Sequence, residues 1–291
     1  MFRLRGDGRV FILYIAKLKQ PWRIAGPSAH FHKRFKWQQQ DQMTDTNTSN
    51  GTASAEDVRR FTDMADSWWD PNGKFRPLHQ INPARIGYIR DNVVAHYGLE
   101  PTVGAPLDGL TLLDVGCGGG LLCEPMRRLG ARVTGIDAGE KNIAVASRHA
   151  EQSGLDIDYR HQLPEQLAKM KGTFDIVLNM EVIEHVSDLD AFLEASAGLV
   201  SPGGVMVLST INRTFKALAL AKIGAEYILR WLPPGTHDWR KFVKPSELAR
   251  RLGPHGVEIT DVTGMAYSPF KDEWFLNQDL AVNYLVFAGK I

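Results

Sequence analysis

Glu181, Glu184 and His185 stand together in the run MEVIEHVSD. Two carboxylates and an imidazole are groups that hold a divalent ion or move a proton. If the run is helical, their i, i+3, i+4 spacing puts all three on one face. A bland reading also stands, in which they form a solvated first helical turn whose acids the helix dipole favours. A second cluster lies upstream, at Asp114-Val-Gly116-Cys-Gly118-Gly-Gly120. Glycine lets backbone approach a ligand and take positive φ, and a helix starting just afterwards offers free N–H groups. The dinucleotide fingerprint G-x-G-x-x-G fails, because Leu121 and Cys123 stand where its last glycine belongs. That disfavours a nicotinamide nucleotide. Asp114, two positions before Gly116, would repel a pyrophosphate and suits a cationic or ammonium-bearing ligand. Asp137 falls 21 residues after Gly116, where a carboxylate can accept ribose hydroxyls.

These residues need elements to hold them. Residues 111–115 form a short apolar run ending at the glycines, 121–129 read as helix, and 132–136 as a β-rich run ending in Asp137. A helix over 140–153, a strand over 157–160 and the buried strand FDIVLN over 174–179 follow. Residues 189–200 read as helix closed by the Ser-Pro-Gly-Gly turn at 201–204, and 205–210 as another strand. Such alternation predicts a parallel sheet covered on both faces. Residues 257–262 and 283–288 read as strands with no long helix between them, so an antiparallel pair is expected at the sheet edge. Before the sheet, Asn82-Pro83 and ARIGYIRDNVVAHYG predict a helix capped by Asn82 and ended by Gly98. The carboxyl edge of the fourth strand, where Glu181, Glu184 and His185 begin, is where open α/β sheets bind ligands.

The chain has 291 residues, 44% hydrophobic and 23% charged, with a formal net charge of +1. This is the composition of an ordinary globular protein. It gives no reason to expect a nucleic-acid partner, although a local basic patch stays open. Cys117 and Cys123 alone make neither a disulfide framework nor a metal site, and packing is their default role. Residues 1–42 carry nine Lys/Arg and two acids, and a polar run follows Met43. An organelle targeting peptide and a start at Met43 both fit these residues; a secretory signal would need a longer apolar core. Residues 1–55 are therefore expected to be a disordered or non-native extension.

D-x-G-x-G-x-G with an acidic end to the second strand resembles the class I methyltransferases that use S-adenosylmethionine. The likeness goes further. WWDPNGKFRPLHQINPARIGYIRD (68–91), LDVGCGGGLLCEPMRRLGARVTGID (113–137), MEVIEHVSD (180–188), GAEYILRWLPPGTHDWRKFVKP (224–245) and VNYLVFAG (282–289) resemble the ubiquinone biosynthesis O-methyltransferase family. The resemblance implies an α/β, Rossmann-like class I methyltransferase fold over 56–291. Its sheet would be mostly parallel and seven-stranded, with helices on both faces, a helical cap over 56–100 and a lid or membrane-facing insertion over 213–244. It implies S-adenosylmethionine at Arg85, Asp114, Gly116, Gly118, Asp137 and Met180, with Arg85 pairing the cofactor carboxylate. It implies catalysis by His185 and Glu184, and in some members a magnesium-type ion on Glu181, Glu184 and His185. His185 as a metal-free base remains the rival reading.

The implied substrates are polyprenylated phenols and quinols of the 3-demethylubiquinol and 2-polyprenyl-6-hydroxyphenol type. Other ubiquinone biosynthesis proteins are implied as partners. FKALALAKIGAEYILRWL (215–232) is an apolar-rich stretch with cations that suits a membrane interface or a lid packed on its own domain. The expected location is cytoplasmic, with peripheral contact at the inner membrane face, and organelle targeting by residues 1–42 stays open. Two rivals stand: an O-methyltransferase of another small phenol, and a non-catalytic scaffold that binds cofactor or lipid.

Overall fold

The computed structural model describes residues 51–101, 104–220, 238–268 and 270–291. Residues 1–50 of the expected extension and 221–237 of the expected insertion lie outside the described residues. Residues 51–55, expected to belong to the extension, are instead tied into the fold. The Ser187 N–H donates to the Thr52 carbonyl at 2.7 Å, the Thr52 N–H donates to Glu165 Oε1 at 3.0 Å, and Ala53 bridges Val186. Ser54 then caps α1 (Ala55–Asp63) through the Asp57 N–H.

The sheet has eight strands: β1 (Thr111–Val115), β2 (Arg132–Asp137), β3 (Asp158–His161), β4 (Phe174–Met180), β5 (Val200–Ile211), β6 (Val257–Ser268), β7 (Glu273–Asn277) and β8 (Asn283–Lys290). Their order is β3-β2-β1-β4-β5-β8-β6-β7. The first five pair in parallel, and β8 runs antiparallel to both β5 and β6. The expected class is therefore present, and β6 and β8 form the expected antiparallel pair, with β7 rather than either of them at the sheet edge. The count of seven is corrected to eight. The extra strand is β7, an edge strand whose mostly exposed residues carry no alternating apolar signal. Residues 201–204 are also more than a turn. They lie within β5, where the register with β4 shifts between Phe174 and Ile176.

Strand periodicity builds the core. Leu112, Ile176, Leu178, Val205, Val207, Leu285 and Phe287 face one layer, while Leu113, Val177, Met206, Leu208, Tyr284 and Val286 face the other. On the first face lies α2 (Arg76–Tyr97), which contributes Ile81, Tyr88 and Ile89. The second is covered by α6 (Leu189–Gly198) and α7 (Pro245–Leu252), with α3 (Cys123–Arg128), α4 (Glu140–Gln152) and α5 (Pro164–Ala168) completing the described helices of at least five residues.

The start predicted for α2 is corrected. It begins at Arg76 rather than at Asn82, with Pro77 in its first turn and Pro83 inside. Asn82 is thus a buried helix residue, not a cap. Gly98 ends the helix as expected, in the left-handed conformation.

Ile176 is fully buried at the centre of the sheet. Ile176→Ala is expected to lower unfolding free energy by about 2–5 kcal/mol, read as a lower midpoint in urea at unchanged slope.

Candidate active site

The sheet reverses direction at β1. The chain runs outward from β1 through β2 to β3, then returns to place β4 on the other side of β1. A crevice opens at the carboxyl ends of β1 and β4, where loops diverge. It widens into a cavity of about 840 Å³. Every residue expected at the site lines it: Arg85, Asp114, Gly116, Gly118, Asp137, Met180, Glu181, Glu184 and His185.

The glycine loop is pinned to the end of β2. Gly116 and Cys117 donate to the Ile136 carbonyl at 2.8 and 3.0 Å, and the Gly118 N–H donates to Asp137 Oδ2 at 2.9 Å. Gly116 has φ +72°, and a Cβ there would stand 2.5 Å from Val182 Cγ2, so both backbone and space require glycine. Asp137 Oδ1 accepts from the Gly139 N–H at 2.7 Å and from Asn142 Nδ2 at 3.0 Å. A carboxylate has roughly four acceptor sites, so three protein donors leave room for a ligand hydroxyl. Burial pushes the Asp137 carboxyl up, against these donors.

Asp114 is buried beneath the loop and accepts from Cys123 Sγ at 3.2 Å. Burial pushes its carboxyl up to about 7, opposed by the Cys123 hydrogen bond. Burial also raises the Cys117 thiol to about 11 and the Cys123 thiol well above its usual range, which keeps both inert and suits a packing role.

Arg85 is 3% exposed. Its guanidinium donates to Glu181 Oε1 at 2.7 Å, while its Nε is buried without a partner. Glu181 follows Met180 at the end of β4 and takes φ +55°, an uncommon conformation for a residue with a Cβ. Its N–H is held by the Ser209 carbonyl and hydroxyl at 3.0 and 3.1 Å. Burial works against the Glu181 charge, but Arg85 and hydrogen bonds from Glu184 and Ser209 outweigh it and hold this carboxyl low. Glu184 goes the other way. Burial and the Glu181 charge push it well above the carboxylate range, with Thr210 Oγ1 donating to it at 2.9 Å. The pair is therefore divided, with the carboxylate form favoured at Glu181 and the acid form favoured at Glu184.

The expected common helical face is not formed. Glu181 lies outside any helix, and residues Ile183–His185 make a single 3-10 turn. His185 has Nδ1 3.6 Å from Asp57 Oδ1 and packs against Phe61 with ring centroids 5.2 Å apart. Among the described residues, no three His, Cys, Asp or Glu side chains are grouped to hold a metal ion. As a three-donor set, Glu181, Glu184 and His185 do not fit one.

Asp57 carries no signal in the sequence that would mark it as a site residue. It sits on α1, far from His185 along the chain, and no motif links the two. Burial opposes its charge, but His185, Lys241 and the Ser54 cap together hold the carboxyl below its usual range. Lys241 Nζ lies 3.3 Å away, which joins the described end of the insertion to the cap.

Charge state separates the two glutamates. Glu184→Gln is expected to cost less stability than Glu181→Gln, because burial and the Glu181 charge already work against the Glu184 carboxylate. Glu181→Gln strands the buried Arg85 charge and should cost on the order of 3 kcal/mol. Equilibrium denaturation of both variants checks the ordering.

Residues 87–262 match a family described as a methyltransferase domain. The ubiquinone biosynthesis O-methyltransferase of Chelativorans sp. (strain BNC1) is 56% identical over 82% of this chain and 94% of its own length. That of Paramagnetospirillum magneticum is 54% identical over 82% of this chain and 96% of its own. Among solved structures, magnesium protoporphyrin IX methyltransferase from Synechocystis PCC 6803 with bound SAH superposes with a TM-score of 0.56 at 22% identity. The match covers 82% of this chain and 96% of that one, and it shows a shared fold. The sheet architecture and a sequence identity above one half over most of both chains agree: this chain belongs to the ubiquinone biosynthesis O-methyltransferase family.

Proposed function

We propose that the protein transfers a methyl group from S-adenosylmethionine to a ring hydroxyl of a polyprenylated phenol or quinol, of the 3-demethylubiquinol and 2-polyprenyl-6-hydroxyphenol type. The observation that carries this reading is one cavity that joins the glycine loop, Arg85 and Asp137 to the Asp57–His185 pair. Bound S-adenosylmethionine supplies a methyl group already activated on a sulfonium. The walls fit it: Arg85 Nε is a buried donor without a partner, Asp114 is a buried acid, and Asp137 keeps acceptor capacity. Met180 offers a soft thioether contact at the cavity wall.

His185 is the general base in this reading. Asp57 lies 3.6 Å from Nδ1 and its charge favours a proton there, which leaves Nε2 for the substrate. An ordinary phenol ionises near ~10, so removing its proton as the oxygen attacks lowers the barrier. The oxygen–carbon bond forms as the carbon–sulfur bond breaks, a neutral thioether leaves, and the proton stays on His185 Nε2. The Asp57 carboxylate stabilises the imidazolium. Holding the two reactants in line can supply about 7–11 kcal/mol.

A second reading rests on the contact between Glu181 and Glu184. Glu181 and Glu184 would be the residues to hold a divalent ion, which would supply Lewis-acid polarisation of a substrate oxygen. Loss of turnover on chelation, with recovery on adding magnesium, would favour it.

Exposed apolar groups support a peripheral membrane contact. Phe215 is 82% exposed at the described start of the insertion, beside Lys216, and Leu220 lines the cavity. A polyprenyl tail would leave the cavity along this side. No helix among the described residues is long and apolar enough to cross a membrane.

Methyl transfer from labelled S-adenosylmethionine to a short-chain demethylubiquinol analogue tests the whole reading. Tight donor binding without methylated product would sink the substrate assignment. His185→Ala is expected to lower kcat by about 10²–10⁴, with donor affinity retained. Donor affinity should itself depend on pH. Asp114 lies near about 7 in the free protein and is neutral below that value, so a cationic ligand must displace its proton there. Affinity for the donor is expected to rise with pH through about 7 and then level off. Asp114→Asn should flatten this profile in calorimetric titrations.

A further inference from the structure

Two residues of α2 that line the same cavity each hold a buried polar atom without a partner. Arg85 Nε is a donor, and Asn82 Oδ1 is an acceptor. Asn82 is 7% exposed. Its Nδ2 donates to the Leu121 carbonyl, just past the glycine loop, at 3.4 Å, and that bond sets which end of the amide is left over. A buried polar atom without a partner is destabilising, and a ligand group paired with it would remove that cost. Residues three apart on a helix are neighbours. An acceptor and a donor one turn apart therefore address a ligand end that carries a cation next to an anion.

We propose that Asn82 Oδ1 accepts a hydrogen bond from the α-ammonium of the methyl donor while Arg85 binds the adjoining α-carboxylate. The proposal deepens the reading of this cavity as the donor site and rests on it. Asp114 supplies the charge that attracts the ammonium, and Asn82 supplies direction. The buried amide discriminates between ligands with and without the amine, because an analogue lacking it leaves the Asn82 oxygen unsatisfied. The donor's amino-acid end is thus oriented from the helical cap as well as from the glycine loop, and that orientation sets where the methyl group points.

Calorimetry with S-adenosylhomocysteine and its deaminated analogue tests this on the full chain. The wild type is expected to bind S-adenosylhomocysteine about 10–100-fold more tightly than the analogue. Asn82→Ala should lose about 10-fold or more for S-adenosylhomocysteine and little for the analogue. Equal loss for both ligands would make Asn82 a packing residue and overturn the proposal. So would a wild type that binds both ligands equally, a result that needs no variant to fold. A wild type that binds neither ligand would instead overturn the donor-site reading itself.

Discussion

The ion pair between Arg85 and Glu181 joins the two halves of this protein at the point where its chemistry is arranged. One partner belongs to the long helix of the cap and the other to the carboxyl end of the fourth strand. At 2.7 Å, with Arg85 almost fully buried, the contact is costly to break from either side. It also sets the neighbouring charges. The Glu181 charge beside Arg85 pushes the Glu184 carboxyl up, and the 3-10 turn that follows places His185 Nδ1 3.6 Å from Asp57 Oδ1.

The positions of these groups follow from sheet topology. The crevice exists because β1 and β4 are neighbours whose continuations leave in opposite directions. The glycine loop comes from one strand and Glu181 from the other. Backbone bonds from Gly116, Cys117 and Gly118 to the end of β2 hold the loop, and Ser209 on β5 holds Glu181 in its left-handed conformation. Each side of the site is thus braced by the next strand outward. Rigid elements of this kind keep a donor and an acceptor in line more effectively than loops alone.

Burial then divides the acids by role. Asp57 and Glu181 have cationic partners and stay ionised, whereas Asp114 and Glu184 have burial and neighbouring acids against them and hold protons more readily. Four acids of ordinary type are thus split into two held low and two pushed up. That sorting limits uncompensated charge inside the molecule.

Much of this is legible in the sequence. The glycine spacing, the acid ending the second strand and the apolar alternation determine the parallel sheet and the crevice, because strand period and glycine's conformational freedom are local properties. The family resemblance supplies Arg85 and Met180, which no local pattern singles out. Local reading goes wrong where long-range packing decides. Pro83 suggests a helix start, yet packing of Ile81 and Ile89 against the sheet carries α2 across it. The spacing of Glu181, Glu184 and His185 suggests one helical face, yet the positive φ of Glu181 splits them. The pairing of His185 with Asp57 and the unsatisfied atoms of Asn82 and Arg85 exist only once the cap lies over the sheet. The sequence by itself determined the elements and the donor-side chemistry. The tertiary structure alone decided which charges meet, because burial and distance, not residue type, set the protonation and partners of an acid.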